Sequence, residues 1–243
     1  MHINPKQVKK QFEKSYETYN DNALVQKVMA SKLVDNIKEK EFQNILELGC
    51  GTGLLTQEIK DKIKFEKFFA NDIVEKSKNY ICKIIPTSTF YCGDAKKIKP
   101  QQKMDLIISN ATFQWFENLE KITEHYKTIL NPKGILAFST FSEDNFKEIK
   151  DLCGLSLKYK SFNETKNILE KNFNILYSEE FIQILEFSNP LELLAHMKNT
   201  GVNSLNMKHW TFKEVKSFCE SYKEKYPKIT LTYTPAIFIC EKK

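Results

Sequence analysis

The chain has 243 residues, 41% of them hydrophobic and 28% charged, a composition that excludes a disordered chain and suits one domain carrying an insertion. No apolar run approaches the ~20 residues that span a bilayer and no apolar segment follows the first charges, so neither a membrane span nor a signal peptide is expected, and a cytoplasmic location is. The net charge of +6 rests on 37 basic residues, all of them lysine and mostly interleaved with acids; this argues against a nucleic-acid stripe and excludes a bidentate guanidinium clamp, but not an acidic protein partner.

Asn4-Pro5 reads as a helix cap followed by proline, and Val8, Phe12, Ser15 or Tyr16, and Tyr19 recur behind it at helical spacing. Asp21-Asn22 caps a second helix with Val25, Met29, Leu33 and Ile37 on one face. Ile45-Leu46-Glu47-Leu48 is a short apolar strand, ended by Gly49-Cys50-Gly51-Thr52-Gly53, and 54–63 is a helix. Strand 67–71 ends at Asp72, helix 74–85 follows, and strand 89–92 ends at Gly93-Asp94. A strong apolar strand at 104–109, a helix at about 119–130, a turn at 131–134 and a strand at 135–141 complete the alternation. Beyond it, 143–159, 163–171, 190–199 and 211–225 read as helices, 175–187 as one or two strands, and 229–240 as a closing strand.

Five strands separated by helices predict an α/β fold, a Rossmann-like doubly wound and mostly parallel sheet. The whole chain is read as a single domain: an N-terminal helical segment (1–40), a cofactor-binding core (44–141), a helical insertion or lid (about 142–210) and a closing helix and strand (about 211–243). Six cysteines without a CxxC pair and four histidines without an HExxH pattern argue against a disulfide framework and a metal site.

The glycine loop sits where strand one meets its helix, the crevice at which such sheets bind ligands. Its spacing is GxGxG, with Glu47 two residues before the first glycine. A pyrophosphate favours bare helix N–H groups without a neighbouring carboxylate; an acid there suits a ligand with an ammonium or sulfonium. Asp72, 21 residues after Gly51, stands where an acid accepts ribose hydroxyls, and Asp94 at the third strand end is placed for an adenine amino group.

This constellation resembles the class I S-adenosylmethionine-dependent methyltransferases, and within them the malonyl-acyl-carrier-protein O-methyltransferases of biotin synthesis. The likeness covers nearly the whole chain. Phe12-x6-Tyr19-x3-Ala23-x2-Gln26 is similar to that family's N-terminal run, 45–53 to its cofactor loop, and Ser109-Asn110-Ala111-Thr112-Phe113-Gln114-Trp115 to its SNxxxQW segment. Asn131-Pro132-Lys133-Gly134 with Phe138-Ser139-Thr140-Phe141 matches the strand-five entry and exit. Most discriminating is Met197-Lys198-Asn199-Thr200-Gly201-Val202-Asn203, close to the family's LKxTGxN insertion. Three positions depart from the pattern: Lys14 replaces an arginine, Asn20 an aspartate, and Lys133 a glycine.

The resemblance implies transfer of a methyl group from S-adenosyl-L-methionine, without a metal, to the free carboxylate of a malonyl thioester on acyl carrier protein or coenzyme A. The ester product then enters fatty-acid elongation toward pimelate. A carboxylate is already ionised at pH 7 and needs no general base. Glu47, Gly49, Cys50, Gly51, Gly53, Asp72, Ile73, Asp94, Ala95 and Asn110 are the expected cofactor residues, with Cys50 a small filler rather than a nucleophile. Tyr19, Gln114 and Trp115 are the expected catalytic set, Tyr19 either hydrogen-bonding a carboxylate or packing against Phe12. Tyr19, Trp115 and Lys198 are the expected acceptor contacts. Two other readings share the glycine loop: a small-acid carboxyl methyltransferase of the trans-aconitate type, and a non-catalytic S-adenosylmethionine-binding regulator.

Overall fold

The computed structural model describes residues 5–154, 157–200 and 210–243. Nine helices and nine strands are named within them. They are α1 (Pro5–Asn22), α2 (Leu24–Asp35), β1 (Glu41–Leu48), α3 (Leu54–Lys62), β2 (Lys64–Asp72), α4 (Ser77–Ile84), β3 (Thr89–Cys92), β4 (Met104–Ser109), α5 (Leu119–Ile129) and β5 (Leu130–Phe141) in the first part. The second part holds α6 (Lys147–Cys153), α7 (Phe162–Glu170), β6 (Phe173–Glu180), β7 (Gln183–Glu186), α8 (Pro190–Asn199), α9 (Phe212–Lys225), β8 (Thr230–Tyr233) and β9 (Pro235–Lys242).

Seven strands form one sheet in the order β3-β2-β1-β4-β5-β9-β6; the first five run parallel, and β9 is antiparallel to both neighbours. Chain order reverses between β1 and β4, so the loops leaving their C-terminal ends open a crevice there. Strand alternation sorts the core into two layers. Ile45, Leu106, Ile108 and Ala137 pack with Leu33 of α2 and Leu55 and Ile59 of α3. Leu46, Leu48, Ile107 and Phe138 pack on the other face with Ile122 and Tyr126 of α5. A third cluster joins Phe146, Leu193, Met197, Tyr222 and Tyr233 into a separate unit beside the sheet.

Several expectations are corrected. The stretch at about 142–210 is not one insertion: α7 and β6 join the main sheet, with Leu169 and Phe173 fully buried in its core. The accessory unit keeps α6, α8, α9 and the two-stranded pair β7-β8. The expected closing strand divides at Thr234, because Leu231 and Tyr233 belong to the accessory core while Ala236 and Phe238 belong to the sheet. The helix expected over 143–159 covers only Lys147–Cys153, stopped by Gly154 in a left-handed conformation (φ 64°). The expected turn at 131–134 lies inside β5 as an irregularity, with exposed Lys133 held left-handed at φ 59°. A glycine meets that φ without strain, which accounts for its use at this position in the resembling pattern. Asn4 and the Gly201-Val202-Asn203 end of the insertion motif lie outside the described residues.

Candidate active site

The loop after β1 turns on residues that only glycine accommodates easily. Gly49 takes φ 65°, and a Cβ there would run into the Thr112 side chain from the β4 loop. Gly51 takes φ 52°, and a Cβ there would meet nothing within 4 Å, because that position borders a cavity. The loop is pinned to β2 by Cys50 N–H on the Asn71 carbonyl (3.0 Å) and Gly51 N–H on Asp72 Oδ2 (2.8 Å). Asp72 Oδ1 accepts Val74 N–H at 2.8 Å. Burial raises the Asp72 carboxyl above its usual range, opposed by these N–H groups.

Glu47 shares the face of β1 that carries Ile45, beneath α3, where Thr56 donates to Oε2 at 2.6 Å. At 1% exposure its carboxyl is pushed up to about 8 by burial. Asp94 caps the short turn after β3, accepting Lys96 N–H at 3.0 Å, and lies 3.4 Å from Lys96 Nζ. Burial, then the charges of Asp72 and Glu47, put the Cys50 thiol well above the ordinary thiol range, which leaves it a packing residue rather than a nucleophile.

These groups line one cavity of ≈ 210 Å³ at the switch point. Its roof is α1, whose Phe12, Ser15, Tyr16 and Tyr19 fall on one face at helical spacing. Thr52 of the glycine loop donates to Asn20 at 2.6 Å, and Tyr16 shares a short hydrogen bond with Ser77, tying the roof down at two points. The Tyr19 hydroxyl has no hydrogen-bond partner among the described residues. Burial, with the nearby Asp72 charge, keeps it protonated well beyond its usual range. Phe12 packs edge-on against both Tyr19 (6.3 Å) and Trp115 (6.0 Å).

The structure gathers Tyr19, Glu47, Gly49, Cys50, Gly51, Asp72, Ile73, Asp94, Ala95, Asn110 and Trp115 around this cavity. Gly53 begins α3 just behind the lining. The Asn110 side chain is engaged elsewhere, donating to the Gln26 carbonyl (3.0 Å) and accepting from Ser139 (2.5 Å), so its backbone is what the β4 loop offers. Gln114 is not brought in; its amide donates to the Ala111 carbonyl (2.6 Å) and its side chain lines a neighbouring cavity. Lys198 lies exposed on α8, away from the lining. Sequence reasoning missed Thr52, Leu54, Thr112, Phe116 and Glu117 as lining residues. Thr112 lies within the SNxxxQW segment, Phe116 directly follows it, and Leu54 directly follows the glycine loop.

A methyltransferase-domain family model matches residues 22–167. A malonyl-[acyl-carrier protein] O-methyltransferase of Calditerrivibrio nitroreducens is 38% identical over 239 residues, covering 96% of each chain. The chain belongs to the malonyl-[acyl-carrier protein] O-methyltransferase family. A member from Haemophilus influenzae is 34% identical, covering 98% of this chain and 94% of the relative. Among solved structures, the YcgJ protein of Bacillus subtilis shares the fold at TM-score 0.62 and 12% identity, covering 88% of this chain and 97% of that one. The N-methyltransferase NodS of Bradyrhizobium japonicum, solved with S-adenosyl-L-homocysteine, shares it at TM-score 0.50 and 10% identity, covering 83% and 79%. This chain thus carries the α1 roof and the accessory unit of α6, α8, α9 and the β7-β8 pair on the shared sheet. No described helix is long and apolar enough to cross a membrane.

Proposed function

We propose that the protein methylates the free carboxylate of malonyl-acyl carrier protein, with S-adenosyl-L-methionine as donor, in the cytoplasm at the start of pimelate synthesis. The residues present fit the donor. Gly51 leaves open space where any other residue would place a Cβ, and Asp72 and Asp94 stand as acceptors for hydroxyl and amino groups at successive strand ends. Near-full-length identity to named family members supports the acceptor. S-adenosyl-L-methionine, when bound, supplies a sulfonium methyl whose bonding pair leaves with sulfur.

The observation that carries the reading is the chemistry of the cavity wall. No histidine lines it among the described residues, the Tyr19 phenol stays protonated, and Glu47 holds its proton to about 8. The carboxylates of Asp72 and Asp94 are taken up by backbone N–H groups, and an acceptor carboxylate requires no base. The Tyr19 hydroxyl can donate to that carboxylate, while Phe12, Tyr16 and Trp115 exclude water above it. Rate then comes from holding the two reactants in line in a dry site.

The test is an assay with labelled donor and three acceptors: malonyl-carrier protein, malonyl-coenzyme A and free dicarboxylic acids such as trans-aconitate. Turnover with the carrier protein at the highest kcat/KM is expected. Turnover of a free acid alone would move the reading to the small-acid enzymes, and donor binding without turnover to a regulator.

A further inference from the structure

Next to the first cavity lies a second, of ≈ 340 Å³, between the 113–117 segment, the end of β5 and the 157–160 stretch that leads into α7. Phe116 and Glu117 line both, so the two cavities meet at that segment. The 113–115 turn is the partition: Trp115 faces the first cavity and Gln114 the second.

The second cavity has a graded chemistry. Phe113, Phe138, Phe141 and Leu157 make its apolar walls. Thr140, Tyr159 and Thr165 are polar groups within it, beside Gln114. The Gln114 Nε2 must face the Ala111 carbonyl, an acceptor, so Oε1 is the other end, and that oxygen is buried with no hydrogen-bond partner. An unpaired buried carbonyl oxygen is costly, and a turn of the Gln114 side chain that brings Oε1 to the cavity would let a ligand N–H remove that cost. At the rim stand Lys158 and Lys160, exposed and half-buried respectively. Glu164, whose carboxylate feels Lys160, is held by Ser161 N–H at 2.8 Å in a capping box.

We propose that this second cavity receives the arm bearing the acyl thioester: an extended chain whose amide N–H pairs with Gln114 Oε1 and whose phosphate meets Lys158 and Lys160. The inference rests on the malonyl-thioester reading above and adds the substrate subsite to it. The chemistry named is phosphopantetheine, common to carrier protein and coenzyme A. Gln114 then positions the acceptor from outside the methyl-donor cavity.

The experiment compares KM for two small acceptors, malonyl-phosphopantetheine and malonyl-N-acetylcysteamine, the second having an amide but no phosphate. The double variant Lys158→Ala/Lys160→Ala should raise KM for the first about three- to tenfold at unchanged kcat and leave the second alone, since exposed charge contacts are worth little each. Gln114→Met should raise both about three- to tenfold, the range for one neutral hydrogen bond. Calorimetric affinity for S-adenosyl-L-homocysteine should be unchanged in the lysine variant. Lysine substitutions without effect, or with equal effect on both acceptors, would overturn the assignment. As a second measurement, phosphopantetheine alone is titrated into wild-type protein saturated with S-adenosyl-L-homocysteine. Weaker binding to the lysine variant is expected, and no binding, or equal binding, tells against the subsite. A rise in KM for malonyl-carrier protein and malonyl-coenzyme A alike supports an arm site open to either carrier, whereas a rise for one alone assigns it to that carrier. If no malonyl thioester turns over with wild type, the acceptor reading fails, while the titration still reports on the cavity.

Discussion

Replacing Asp72 by Asn separates its two duties, because one carboxylate both fastens the glycine loop and faces the cavity. It accepts Gly51 N–H and Val74 N–H, each at 2.8 Å. A substituted amide keeps one acceptor oxygen and turns an NH₂ toward the other N–H. Leaving one buried N–H unpaired costs ~1–3 kcal/mol. Part of this is returned, since burial already raises the Asp72 carboxyl and the neutral amide is easier to bury. At ~2–4 °C per kcal/mol for a chain of this size, melting should fall by about 2–8 °C. The effect on donor binding is separate. Loss of a charged acceptor for ribose hydroxyls removes ~1.5–3 kcal/mol, or roughly ten- to 150-fold in Kd.

The assay is calorimetric titration with S-adenosyl-L-homocysteine, paired with thermal melts with and without ligand. Ligand at 100 times Kd stabilises the native state by ~2.7 kcal/mol, so at that fixed concentration the variant's melting shift should shrink. Asp72→Ala, which removes both acceptors, should melt lower still and bind no better. A folded Asp72→Asn protein with wild-type affinity would refute the ribose role and leave only the fastening one.

Tyr19→Phe keeps the ring packing on Phe12 and should leave melting within ~1 kcal/mol, yet lower turnover about tenfold or more at saturating donor and acceptor; unchanged turnover would make Tyr19 a packing residue. Glu47 keeps its proton to about 8 when folded and loses it near 4.5 when unfolded. Its contribution is therefore complete below about pH 4.5 and declines as pH rises toward 8; urea unfolding should show Glu47→Gln removing that decline, and parallel pH profiles would sink the argument. Lys133→Gly relieves an exposed left-handed lysine and should raise stability by ~0.5 kcal/mol, readable as a small upward shift in melting.

The ligand-binding half of the fold was legible because its signals are local. Period-two apolar runs, glycines at a strand end and acids at the next two ends each follow from a few neighbouring residues, and Glu47, Gly51, Asp72 and Asp94 meet in one cavity. The second half was not, because strand partners there are set by distant packing. Phe173–Glu180 reads like any half-exposed strand, and only pairing with β9 places it in the main sheet. The split at Thr234 is equally invisible, since Leu231, Tyr233, Ala236 and Phe238 are all apolar and belong to different cores. Gln114 shows the limit within the site. Its neighbour Trp115 does line the expected cavity, and one residue along a 3-10 turn is enough to send a side chain to the other side.

The charges of the cavity wall predict an order of binding for the proposed reactants. Among the described residues Lys96 is the one cation lining it, and that charge lies beside Asp94 at 3.4 Å. Asp72, Asp94 and Glu117 leave the wall net negative, which favours a sulfonium and opposes a lone carboxylate. With no arginine in the chain, the acceptor anion finds its opposite charge in the donor rather than in the protein. The donor should therefore bind first and create the acceptor site. Two unit charges ~4 Å apart at an effective dielectric of ~20 attract by ~4 kcal/mol, and partial solvation leaves at least ~1.4 kcal/mol, a factor of ten. The comparison uses two unreactive donor analogues that differ in charge: sinefungin, with an amine, and S-adenosyl-L-homocysteine, a neutral thioether. A malonyl thioester should bind at least tenfold tighter to the sinefungin complex than to the S-adenosyl-L-homocysteine complex. Equal affinity for both complexes would mean that protein groups hold the carboxylate, with the Tyr19 hydroxyl and Lys96 the first to substitute.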